Sequence, residues 1–125
     1  MESRFLLDTN VVIDFMSGQF PITVQQCLFD IINKGVNLSA INKMELLGFA
    51  NVGQQMIDFV SYASIVPIDN AVINKTIDIR RIYKIKLHDA IVAATAIVHN
   101  FVIVTRNVKD FKNISNIEIK NPWDI

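Results

Sequence analysis

The stretch LHDAIVAATAIVHNFVIVTRN, residues 87–107, decides the fold. From Asp89 to His99 it reads as a helix with a small, apolar spine of Ala90, Ala93, Ala94 and Ala96, which permits close packing on a sheet. Almost every residue from Ala90 to Val98 is small or apolar, so this helix belongs in an interior. Phe101 to Val104 follows as a strongly β-type run.

Outward from this pair the same alternation continues. Arg4 to Leu7 reads as a short buried strand, and Asn10 to Ser17 as a short helix stopped by Gly18. Val24 to Lys34 carries apolar residues at 24, 27, 28, 31 and 32, a helical spacing, and ends at Gly35. Val36 to Ala40 is a second strand, after which Asn42 can cap a helix through Leu47, ended by Gly48. Gln55 to Tyr62 is helical, and Ser64 to Pro67 is a short β-rich run. Asp69 is placed to cap a long helix to about Tyr83, and Ile117 to Ile119 is a last strand. Strands that alternate with helices predict an α/β fold with a mainly parallel sheet. A length of 125 residues predicts one domain over 1–125.

Composition narrows the function. Hydrophobic residues make up 51% and charged residues 19%, which suits a well-filled core rather than a disordered chain. The formal net charge is zero, so any nucleic-acid affinity must come from a local basic patch. One cysteine, Cys27, excludes an intramolecular disulfide and a cysteine-rich zinc site, and it reads as a small buried hydrophobe. No signal peptide and no membrane-spanning run is read, so the expected location is the cytoplasm.

Polar residues stand at the ends of the apolar runs. Asp8 ends Phe5-Leu6-Leu7, Glu45 follows the second strand, Asp89 opens the apolar helix, and Asn107 follows Phe101 to Thr105. Ligands of open α/β folds bind at the carboxyl edge of the sheet, where such residues gather. Each has a structural reading as well. Asp8 or Asn10 can cap a helix, Glu45 can be a solvated helix position, Asp89 can favour a helix dipole, and Asn107 can be a turn residue. Three carboxylates and an amide in one crevice repel unless a divalent cation lies between them, and that is what a metal-dependent phosphodiesterase needs. Thr9, Asn10 and Thr105 are supporting polar residues, and Asp110 is the reserve carboxylate. His88 is a cap or solvent-facing residue beside Asp89. Arg80, Arg81, Lys84 and Lys86 precede Asp89, and Arg106 precedes Asn107. They read either as a solvated face or as contacts to RNA phosphates.

Four stretches carry a family resemblance: FLLDTNVVID at 5–14, INKMELLGF at 41–49, LHDAIVAATAIVHNFVIVTRNVKDF at 87–111 and IKNPW at 119–123. Together they resemble PIN-domain ribonucleases, and among these the small VapC-type toxins of bacterial toxin–antitoxin pairs. The resemblance implies a three-layer α/β/α sandwich around a parallel sheet. It carries the acidic positions onto Asp8, Glu45 and Asp89, and the fourth, an Asp or Asn, onto Asn107, eighteen residues after the third. It implies Mg²⁺ or Mn²⁺ binding and cleavage of single-stranded RNA by a metal-activated water. It also implies a small antitoxin partner and a homodimer. Val11, Val12, Phe15, Met16, Phe20, Leu46, Leu47 and Phe49 are core residues or part of an antitoxin groove. Two other readings compete: a magnesium-dependent phosphatase with Asp8 as nucleophile, and a PIN-fold module that binds without catalysis.

Overall fold

The structure, a computed structural model, describes residues 3–124. Five strands form one sheet in the order β3-β2-β1-β4-β5, with every pairing parallel. The strands are β1 (Arg4–Leu7), β2 (Asn37–Ser39), β3 (Ser64–Val66), β4 (Phe101–Val104) and β5 (Glu118–Lys120). The helices are α1 (Thr9–Met16), α2 (Ile22–Asn33), α3 (Ala40–Leu47), α4 (Gln54–Ser61), α5 (Asn70–Ile82), α6 (Leu87–His99) and α7 (Val108–Phe111). A 3₁₀ turn, Pro122–Asp124, follows β5.

Side chains alternate across the sheet and so supply two cores. Leu6 and Ile103 lie on one face, under α5 and α6 with Val72, Ile79 and the alanine spine of α6. Leu7 and Val104 lie on the other, under α1 to α4 with Val12, Leu28, Leu46 and Val60. The result is a three-layer α/β/α sandwich. Leu6 and Ile103 are 0% exposed, and each such side chain contributes ~1.5–3 kcal/mol of burial. Asn100 ends α6 in the left-handed region, at φ 63, and turns the chain straight into β4.

The strand order places a switch point between β1 and β4. The chain first adds β2 and β3 on one side of β1, then crosses to add β4 and β5 on the other. Leu7 pairs with Val104, so Asp8 and Thr105 leave the sheet side by side. Asp8 N–H donates to the Val104 carbonyl at 3.0 Å and extends the ladder by one bond.

Several boundaries differ from the sequence reading. Asp8, not Asn10, caps α1, because its carboxylate accepts the Thr9 N–H. Ser39, in extended backbone, caps α3, and Asn42 lies inside that helix at its third position. Asn42 was the expected cap; its carbonyl instead accepts the Ser39 N–H at 3.1 Å, which closes a capping box. α6 starts at Leu87, two residues before Asp89. β5 lies one residue later than read, and α7 was not anticipated. Cys27 is only partly buried. No helix among the described residues is long and apolar enough to cross a membrane.

Candidate active site

Asp8 is the centre of a hydrogen-bond network at the carboxyl edge of β1 and β4. It is 6% exposed, a burial that a carboxylate tolerates only with donors around it. Oδ1 accepts the Thr9 N–H at 2.9 Å and an Asn42 Nδ2–H at 3.3 Å. Oδ2 accepts the Thr105 hydroxyl at 2.8 Å and Asn10 Nδ2 at 3.3 Å. Both oxygens are therefore fixed in place.

The same network ties in the other elements. Thr9 Oγ1 donates to Glu45 Oε1 at 2.9 Å and accepts from Asn42 Nδ2 at 3.1 Å, which joins α1 to α3. Asn42 and Glu45 are three apart on α3 and so share a face. Asn10 Oδ1 accepts the Arg106 N–H at 3.1 Å, and the Asn107 N–H donates to Thr105 Oγ1 at 3.1 Å. The turn after β4 is thereby held against α1.

A cleft of about 210 Å³ is lined by Asp8, Thr9, Asn10, Ile13, Glu45, His88, Asp89 and Asn107. The three carboxylates and the amide read from the sequence thus border one space. Asp110 instead borders a larger neighbouring cleft, which shares only Asp89 with the first. Arg80, Lys84 and Lys86 line that second cleft; Arg81 does not. Arg106 turns the other way and pairs with Asp14 at 2.9 Å.

Burial pushes the Asp89 carboxyl above its ordinary value. His88, whose Nε2 lies 3.3 Å from Oδ1, and Lys86 oppose this, while Asp8 and Asp110 add to it. The rise is set first by loss of water around the carboxylate and only secondarily by the neighbouring charges.

The oxygens of Asp8, Glu45, Asp89 and Asn107 suit a hard divalent cation, with His88 the one imidazole in the lining. Among the described residues no three His, Cys, Asp or Glu side chains lie close enough together to hold a metal ion by themselves. An ion of the Mg²⁺ type fits such an open arrangement, because it keeps several waters and takes only one or two carboxylates directly. Asp8 and Asp89 are the buried carboxylates that would hold it, with Glu45 and Asn107 bordering the same cleft.

Two residues of this region were not singled out for the site in the sequence. Asn42 is 0% exposed and bridges Asp8 to Thr9; its three-residue spacing from Glu45 was the available signal. Asp14, 8% exposed, anchors Arg106 across ninety-two residues of chain and had no local signal.

A family model for the PIN domain matches residues 5–117. Ribonuclease VapC1 of Rickettsia felis is 53% identical over 32 residues, a match that takes in 26% of this chain and 24% of that protein's length. A toxin–antitoxin complex from Klebsiella pneumoniae includes a chain 31% identical to this one, with 96% of this chain and 98% of that chain covered at a TM-score of 0.76. DNA-bound VapBC from Salmonella typhimurium shares the fold at a TM-score of 0.80, 22% identity and coverage of 97% and 99%.

Proposed function

We propose that this chain, which belongs to the PIN-domain family, is an endoribonuclease that hydrolyses single-stranded RNA with Mg²⁺ or Mn²⁺ and acts as the toxin of a toxin–antitoxin pair. The observation that carries the reading is the cleft where Asp8, Glu45, Asp89 and Asn107 meet at the sheet switch point. A relative named a ribonuclease, matched over about a quarter of its length, and one chain of a toxin–antitoxin complex, matched over nearly its full length, support it.

A divalent cation at this site supplies Lewis-acid chemistry: it polarises a phosphodiester and makes water a stronger nucleophile. The protein's part is to hold the geometry. Asp8 is fixed by four donors, so it serves as a rigid ligand. Glu45 is oriented by Thr9, and Asn107 by its backbone bond to Thr105. Asp89 is buried at the wall of the same cleft, where a nearby cation would favour its charged form.

The partner in this reading is a small antitoxin protein. Met44 and Phe49, on and just after α3, are 57% and 54% exposed beside Glu45 and offer an apolar contact. Val11, Val12, Phe20 and Leu46 are core and are not available for it. A homodimer and a cytoplasmic location complete the reading.

The test is cleavage of single-stranded RNA by purified protein with Mg²⁺, Mn²⁺ or chelator. Activity with either ion and loss in Asp8→Asn and in Asp89→Asn is expected. Cleavage by either variant at the wild-type rate overturns the assignment.

A further inference from the structure

Beside the acid site lies a larger cleft. It measures about 650 Å³ and lies between the segment joining α5 to α6 and the end of α7. Arg80, Lys84, Lys86 and Lys109 line it, and none is in an ion pair among the described residues. On a chain of zero net charge, four free cations around one cleft concentrate a local positive field. Tyr83 lies in the same wall. Its phenol oxygen accepts the Ser115 N–H at 3.1 Å and lies 3.2 Å from Ser115 Oγ, so the ring is held from its far end. Asp110 and Asn113 border the cleft with side chains that make no hydrogen bond among the described residues. Asp89 belongs to both clefts.

We infer that this second cleft is a nucleotide subsite, holding the single-stranded RNA next to the scissile phosphate. The inference rests on the ribonuclease reading and deepens it. A phosphodiester seated at the acid cleft has its neighbouring nucleotide within reach across Asp89. The cations attract backbone phosphates, and the Tyr83 ring, half-buried against the core and lining the cleft, is a stacking platform for a base. Asp110 repels phosphate, so phosphates run along the Arg80 and Lys84 side. The carboxylate of Asp110 and the amide of Asn113 face the base edge, where a carboxylate accepts from an exocyclic amino group. An acidic protein segment would be attracted to the cations as well, but it offers no flat face for Tyr83 and meets repulsion at Asp89 and Asp110.

The test measures binding without cleavage, on Asp8→Asn protein in chelator, by fluorescence anisotropy with a single-stranded RNA of about 12 nucleotides. Adding Arg80→Gln and Lys84→Gln together is expected to weaken binding about tenfold or more. It should also lower the slope of log affinity against log salt by about 1.4, at ~0.7 per phosphate contact on a single strand. Tyr83→Ala is expected to cost about tenfold on the single strand and nothing on a duplex, whose bases have no free face. Tyr83→Phe keeps the ring and should stay near the Asp8→Asn value. Thermal melting of each variant confirms folding, and the exposed Lys and Arg changes stand as the test if Tyr83→Ala does not fold. Binding by Asp8→Asn that is unchanged by all these substitutions overturns the subsite and leaves the ribonuclease reading standing. An Asp8→Asn protein that binds no RNA in chelator overturns the subsite as well, and the ribonuclease reading then stands or falls on the cleavage test alone.

Discussion

Asn42, one turn into α3, donates from Nδ2 to Asp8 Oδ1, thirty-four residues earlier in the chain. The same amide reaches Thr9, and its carbonyl takes the Ser39 N–H. One buried side chain thus closes the start of α3 and fixes the central carboxylate, with Glu45 one turn further on the same face.

Asn42→Ala is therefore expected to lower stability by about 1–3 kcal/mol, the usual cost of stranding buried polar partners. It should also weaken Mn²⁺ binding, since Asp8 and the helix bearing Glu45 both lose their tie. Urea unfolding and a calorimetric Mn²⁺ titration check this. A variant with the wild-type midpoint and affinity would show that the bridge carries nothing.

Asp89 gives a pH signature in metal-free protein. Burial raises its carboxyl in the folded state above the unfolded value. Between the two values the folded protein binds more protons than the unfolded chain, so this group's contribution falls as pH rises through that window. Above the raised value the full penalty is present; below the ordinary carboxylate range it is gone. Asp89→Asn is expected to raise Tm by on the order of a few °C at neutral pH, with the gain shrinking as pH falls into the carboxylate range. A gain that is the same at all pH values contradicts this account.

Much of this was legible in the chain because it is local. Phe101 to Val104 was read at its observed bounds, since a run of bulky apolar residues between Asn100 and Thr105 has one reading as a strand. α6 was legible from its alanine spine, and the placing of Asp8 directly after β1 from the apolar run before it, whereas Glu45 lies inside α3 and Asp89 two residues into α6. The errors came where two residues compete for one role. Ser39 and Asn42 both suit a cap, and only the backbone angles decide between them. α7 has four residues, too few for a periodicity. Arg106 read either as a solvated residue or as an RNA contact, and its bond to Asp14 was hidden because the two are ninety-two residues apart and only the fold brings them together.

That pairing makes a prediction of its own. Asp14 is 8% exposed, while the Arg106 side chain is half exposed, so the bond is part-screened. Arg106→Ala should still destabilise by about 1 kcal/mol, because it leaves a buried carboxylate without its partner. RNA affinity, measured as above, should change little after correction for folding. A large loss of RNA binding with unchanged stability would return Arg106 to the RNA interface.

Asn107 decides the charge of the site. It borders the cleft with Asp8, Glu45 and Asp89, whereas Asp110 borders the neighbouring one. An amide can ligate through oxygen but adds no charge, so this site carries one charge fewer than a four-acid version. More carboxylate charge tightens binding of a hard cation. Asn107→Asp is expected to bind Mn²⁺ several-fold more tightly than wild type in a calorimetric titration at fixed pH. Asp110→Asn should leave that affinity nearly unchanged, because its charge reaches the ion only at a distance. If Asn107→Asp had no effect and Asp110→Asn lowered the affinity, the fourth ligand would be Asp110. The α7 turn would then have to swing toward Asp8 when the ion binds.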